Sequence, residues 1–162
     1  MKKLPCYVAA MLIATPTTAL AMEGEQTMTN IEVIENGSQS LMRDLAEYFV
    51  GDVRVEPLFS PQGAEQASGA SVTFEPGART NWHSHPIGQT LIVISGKGWV
   101  QADGQQRQVI ETGDVVKIPA DTKHWHGATD HSAMTHIAIQ EANEDGEVVN
   151  WLEAVSKEQY ER

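Results

Sequence analysis

Cysteine is almost absent from this chain, whose 162 residues include one, Cys6. A single thiol closes no internal disulfide, so stability must come from a hydrophobic core, which a chain of this length can bury without covalent cross-links. Positive charge is scarce too. Eleven Lys and Arg stand against 22 Asp and Glu, a formal net charge of −11. Nucleic acids and anionic membrane surfaces reward clustered Lys and Arg, so neither is an expected partner. There is no internal repeat, no Gly-rich phosphate loop and no Ser-centred nucleophile elbow. Repeat scaffolds, P-loop nucleotide chemistry and Ser-based hydrolysis are thereby set aside.

The one extended apolar run lies at the start. Met1-Lys2-Lys3 precedes the mostly apolar stretch from Leu4 to Ala14, and Ala19-Leu20-Ala21 forms a small-x-small exit. That order is the pattern of a secretory signal peptide. Pro16 and three threonines interrupt the run well short of the roughly 20 apolar residues of a membrane span. Cleavage after Ala21 is expected, giving a periplasmic or secreted protein without Cys6. The mature part then carries a formal charge of −13, because residues 1–21 hold two lysines and no acid.

Residues 22–37 are polar and acidic with no sustained period, which reads as a flexible lead-in. From Ser38 to Phe49, Leu41, Leu45, Tyr48 and Phe49 recur at three- and four-residue intervals, and this spacing predicts a short amphipathic helix. Beyond Gly51 the rhythm changes to short β-branched and aromatic segments separated by turn residues every 8–12 positions, as in a sandwich or barrel. Strands are predicted at 53–58, 69–75, 79–84, 88–95, 98–103, 106–111, 114–118, 123–128 and 133–141. Pro61-Gln62-Gly63, Glu75-Pro76-Gly77, Ser95-Gly96-Lys97-Gly98, Asp103-Gly104 and Thr112-Gly113-Asp114 supply the turns, with Asp103-Gly104 the clearest hairpin. Near the end, Trp151, Leu152 and Val155 form an apolar face suited to a barrel end or a partner subunit. Ser156 to Gln159 fits a capping box. The expected organisation is a signal peptide over 1–21, a lead-in with a short helix over 22–49, and one all-β domain over 50–162.

All six histidines fall between positions 83 and 136, and only His131 lies in a predicted turn. In a strand, residues i and i+2 share a face, so His83 and His85 can converge on one ion while Trp82 and Ser84 point away. Pro86-Ile87-Gly88 bends the chain, and Gln89 can turn an amide oxygen back to the same point. His124 and His126 repeat the two-residue spacing. A third strand presents Met134, His136, Ala138 and Gln140 on one face. A lone His-x-His pair is weak grounds for a metal, but two separated pairs weigh more. Several neutral imidazoles buried together each need a partner, a need that one cation meets. His131, between Asp130 and Ser132, reads as solvated, and Trp82, Trp99 and Trp125 read as packing residues.

Gly77-Ala78-Arg79-Thr80-Asn81-Trp82-His83-Ser84-His85, followed by Gln89 and Gly96, resembles the first motif of the cupins: Gly, five residues, His-x-His, an acidic position and a closing Gly. Gly113 through Pro119 to His124 resembles the second. Gln89 stands where most metal cupins have Glu, and Asp121 and Ala128 replace the usual Gly and Asn. The Gln variant is similar to a group of small bacterial manganese cupins that includes the cupin-type hydroxynitrile lyases, and the likeness runs over about residues 50–160. It implies a double-stranded β-helix (jelly-roll) barrel with short terminal helices. It implies one divalent metal, manganese before iron, zinc, nickel or cobalt, on His83, His85, Gln89 and His124. His126, His136 and Gln140 would then be catalytic residues, with Thr80, Ala70 and Val72 shaping a pocket for a small-molecule substrate. A homo-oligomer is expected as well.

Three imidazoles and an amide are neutral donors, so a cation on them keeps its full charge and acts as a stronger Lewis acid. The resemblance implies cleavage or formation of a cyanohydrin carbon–carbon bond, His126 taking the hydroxyl proton and His136 and Gln140 holding the cyanide. Two alternatives keep the same site: an iron-dependent dioxygenase, and a periplasmic cupin that binds a small ligand without turnover. A chain folding outside the cytoplasm also meets zinc and copper, which outcompete manganese for such donors.

Overall fold

The computed structural model describes residues 30–42 and 45–162. The expected signal peptide and the first part of the lead-in lie outside the described residues. Residues 30–42 form neither helix nor strand.

From residue 45 the regular structure is almost entirely strand: β1 (Phe49–Val50), β2 (Val53–Phe59), β3 (Ala67–Phe74), β4 (Arg79–Thr80), β5 (His83–Ser84), β6 (Gln89–Ala102), β7 (Gln108–Glu111), β8 (Val115–Ile118), β9 (His124–Ala128), β10 (Met134–Glu141) and β11 (Asn150–Trp151), closed by helix α1 (Lys157–Glu161). Every pairing is antiparallel, in the lateral order β1-β4-β9-β6-β10-β3-β2. The strands curl into a nearly closed all-β barrel, as the turn rhythm predicts, and the architecture is the jelly-roll that the resemblance implies.

Alternation places the core. In β10 every second residue from Met134 to Ala138 is buried, and this set pairs with β3 as Met134 with Phe74, His136 with Val72 and Ala138 with Ala70. Phe74, Leu91 and Val93 are essentially solvent-free, and burial of such a side chain stabilises the fold by about 1.5–3 kcal/mol. A second cluster under the C-terminal tail joins Trp82, Trp125, Val155 and Tyr160, so Trp82 and Trp125 are packing residues. Trp99 packs against this cluster.

Three expectations need correction. The helix over 38–49 is absent among the described residues. One 3₁₀ turn, Leu45–Glu47, leads into β1, which pairs with Thr80 and Arg79. Leu45 and Phe49 still reach the core, but a short isolated helix is marginal in water, whereas strand pairing at the barrel rim satisfies the same backbone. The turn expected at Ser95–Gly98 is instead a bend inside the 14-residue β6. Gly96 takes φ +78° there, and a Cβ would collide with the Ala133 carbonyl. The half of β6 before Gly96 pairs with β8 and the half after it with β7 and β9, so one strand spans both sides of the barrel. The strand expected over 79–84 is broken at Asn81-Trp82 into β4 and β5.

The Asp103-Gly104 hairpin joins β6 to β7 as expected. Asp121, at φ 57°, is the one non-glycine in the left-handed region among the described residues. Asp tolerates that conformation better than most side chains, which accounts for its occupying a position where the second cupin motif has Gly. Ser156 caps α1 with Gln159 in a complete capping box.

Candidate metal centre

Antiparallel pairing assembles the histidines. His83 on β5 lies opposite His124 on β9, and His85 follows two residues later. Gly88, at φ +98°, turns the chain back so that Gln89 opens β6; a Cβ there would meet the Ile118 carbonyl at 2.7 Å. Ring nitrogens of His83, His85 and His124 lie within 4.8 Å of one another, and all three residues are buried.

The outward faces of these rings define their protonation. Nδ1–H of His83 donates to the Asn81 carbonyl at 2.9 Å, that of His85 to Val148 at 2.8 Å and that of His124 to Thr122 at 2.8 Å. A carbonyl only accepts, so each neutral ring carries its proton on Nδ1 and keeps a lone pair on Nε2. His85 Nε2 is buried with no hydrogen-bond partner. His124 Nε2 faces Gln89 Oε1 at 3.3 Å, two acceptors with no proton between them. Unpaired buried acceptors are costly, and lone pairs converging from three imidazoles are what a divalent cation takes as ligands. The residues fit such an ion.

Burial keeps the imidazoles neutral. It pushes His83 well below the ordinary range, with the charge of His124 adding to the effect. His85 is lowered mainly by burial, against the pull of the Val148 carbonyl. His124 is lowered to about 4, by burial first and by His85 second, the Thr122 carbonyl opposing.

A cavity of ≈ 320 Å³ opens beside the centre, lined by His83, His85 and Gln89 and by every further residue assigned to the pocket: Ala70, Val72, Thr80, His126, His136 and Gln140. His126 and His136 are both enclosed, and His136 Nε2 lies 3.2 Å from His126 Nδ1. Burial lowers His136 to about 4 and holds His126 well below the ordinary range, with the charge of His136 adding to the effect on His126. His126 Nε2 has no partner. Thr80 Oγ1 accepts the His126 main-chain N–H at 3.2 Å, which leaves its hydroxyl hydrogen free to donate. Gln140 donates Nε2–H to Ser68 Oγ at 3.0 Å and accepts from Gln89 Nε2 at 3.4 Å.

The rest of the lining comes from segments that strand spacing does not assign to the pocket, with Trp151 covering a barrel end as its apolar face suggests. Leu45, Tyr48 and Phe49 come from the segment expected to be helical, and Val148, Val149 and Trp151 from the tail. Trp151 pairs in register with His83, its ring 4.8 Å from the imidazole and 5.0 Å from Tyr48. The alternation Val149-x-Trp151 was the available signal for this strand. No carboxylate, lysine or arginine lines the cavity among the described residues. His131 is exposed beside Asp130, away from the centre.

Comparison with known proteins agrees with this geometry. The cupin domain signature matches residues 70–139. A protein of Granulicella tundricola named (R)-mandelonitrile lyase is 52% identical over 132 residues, which is 82% of this chain and 100% of that protein. Among solved structures, a cupin-like protein of Thermotoga maritima is 39% identical with a TM-score of 0.68, covering 80% of this chain and 95% of the other. A polyketide cyclase of Streptomyces resistomycificus, at 14% identity and a TM-score of 0.62 over 82% and 92% of the two chains, shares the fold alone. A half-identical relative matched along its whole length, a barrel of the same architecture and both histidine motifs in place show that this chain belongs to the cupin family.

Proposed function

We propose that this cupin is a metal-dependent hydroxynitrile lyase, cleaving a cyanohydrin to an aldehyde and hydrogen cyanide and running the reverse addition. The observation that carries the reading is the 52% identity to a protein named (R)-mandelonitrile lyase, matched over its full length. The site supports it, with an uncharged cavity, a cluster of neutral donors and a buried imidazole pair meeting at one place.

Gln89 joins His83, His85 and His124 as the fourth protein ligand, and manganese is the native ion in this reading. When bound, the ion supplies Lewis acidity that makes the substrate hydroxyl more acidic. His126 takes the proton. Its Nε2 is unpartnered and burial keeps the ring neutral, so it is ready to accept. The hydrogen bond to His136 stabilises the imidazolium that forms, provided Nδ1 of His126 is the donor. As the carbon–carbon bond breaks, its electron pair leaves with the cyanide and the hydroxyl oxygen becomes the aldehyde carbonyl. His136 and the second amide hydrogen of Gln140 hold the departing anion, which takes the proton held on His126 and leaves as hydrogen cyanide, restoring the neutral imidazole. Thr80 donates from the floor, and Ala70 and Val72 leave room for the organic group.

Incubation of manganese-loaded protein with racemic mandelonitrile tests this directly. The expected result is benzaldehyde release above the protein-free rate, with the R enantiomer consumed first. Release no faster than in buffer overturns the reading.

A further inference from the structure

The strand register places Ser68 opposite Gln140, and Gln140 opposite Gln89. Three polar residues from β3, β10 and β6 therefore stand abreast on one rung, at the metal end of an interior whose next rung is Ala70, Ala138 and Leu91. Resting on the reading of Gln89 as a ligand, we infer that this rung orients the Gln89 amide with its oxygen towards the metal and that Ser68 is a positioning residue for it.

The two ends of a carboxamide have nearly the same shape, so packing does not choose between them; hydrogen bonds do. The nearest partner of Gln89 favours the wrong end. His124 Nε2 carries a lone pair, and by itself it draws the amide N–H₂ of Gln89 towards the centre, where a hydrogen would face the cation. The rung opposes this. Ser68 Oγ donates to the Gln140 main-chain carbonyl at 3.4 Å, so its own lone pair is offered to Gln140 Nε2 at 3.0 Å. With Gln140 Nε2 held there, Gln140 Oε1 points at Gln89 and accepts from Gln89 Nε2 at 3.4 Å. Gln89 Oε1 is left facing His124 Nε2 at 3.3 Å, on the side of the metal centre. A glutamate at position 89 needs no such direction, because both its oxygens are ligands. A glutamine ligand therefore brings a requirement for an orienting neighbour.

The test is manganese affinity, measured by competition with a fluorescent chelator on the full chain, with circular dichroism melts of each metal-free variant as the folding control. Outer-shell changes at metal sites typically cost 10–100-fold in affinity. Ser68→Ala is expected to weaken binding roughly ten-fold, the low end of that range, and Ser68→Thr, which keeps the hydroxyl, to restore it. In a Gln89→Glu background the same Ser68→Ala change is expected to cost nothing further. Unchanged affinity in Ser68→Ala, or an equal loss in both backgrounds, overturns the positioning role. Gln89→Ala separates the two claims: unchanged affinity there removes Gln89 from the ligand set and the rung's purpose with it, whereas a loss there without a Ser68 effect overturns the rung alone.

Discussion

His126 and His124 share a strand face, yet their surroundings give them different work. His124 Nδ1–H is tied to the Thr122 carbonyl and its Nε2 turns to the centre, whereas His126 points its Nδ1 at His136 and leaves Nε2 unpartnered. In the proposed reading one holds an ion and the other takes a proton. His126→Ala is therefore expected to retain metal while losing turnover of mandelonitrile by about 10²–10⁴-fold, the range for removal of a general base. Metal loss in parallel with activity would make His126 a ligand instead. The pairs His83/His85 and His124/His126 were legible because a period of two puts them on one face. The carbonyls that set the ligand tautomers were not, since one belongs to Val148, 63 residues from His85 along the chain. Nor was Ser68, an ordinary strand serine until the register sets it beside Gln140.

At the scale of elements, the tail from Val148 onwards is part of the site. Val148 orients His85, Trp151 lies against His83, and the segment is pinned from behind by Arg79. That guanidinium donates through Nε and Nη2 to the Val155 carbonyl, at 3.2 and 2.8 Å, and sits 4.6 Å over the Tyr160 ring. Tyr160 Oη in turn donates to the Ala128 carbonyl at 2.9 Å. A lysine at position 79 cannot fork onto Val155 in this way. Arg79→Lys is expected to lower unfolding stability by about 1–3 kcal/mol, the scale for losing hydrogen bonds from a charged group, read from urea denaturation. No shift in the midpoint would show that the tail is anchored elsewhere. Strand positions were largely readable from alternation and turn residues, because both are local. The segment 38–49 was misread because its three- and four-residue spacing fits a helix, while β4 offered it a pairing edge that no local pattern reveals. The long β6 was divided in prediction because Ser95-Gly96-Lys97-Gly98 has the composition of a turn. Its glycines serve a bend and close backbone approaches to Ala133 and Gly127.

For the molecule as a whole, the contrast is between an acid-rich chain and a cavity whose lining, among the described residues, carries no carboxylate, lysine or arginine. The chain carries a formal −11, yet its cavity is lined by imidazole, amide and hydroxyl residues and by apolar walls. In the proposed reading that division disfavours anionic polymers as partners and leaves a bound cation's charge unshared. The proposed chemistry therefore depends first on the ion. Its most direct test is elemental analysis of folded, manganese-loaded wild type beside His124→Ala, after removal of free metal. One metal per chain in the wild type and far less in the variant is the predicted result. A folded wild type with no stoichiometric divalent metal, or a variant that retains as much, would contradict it.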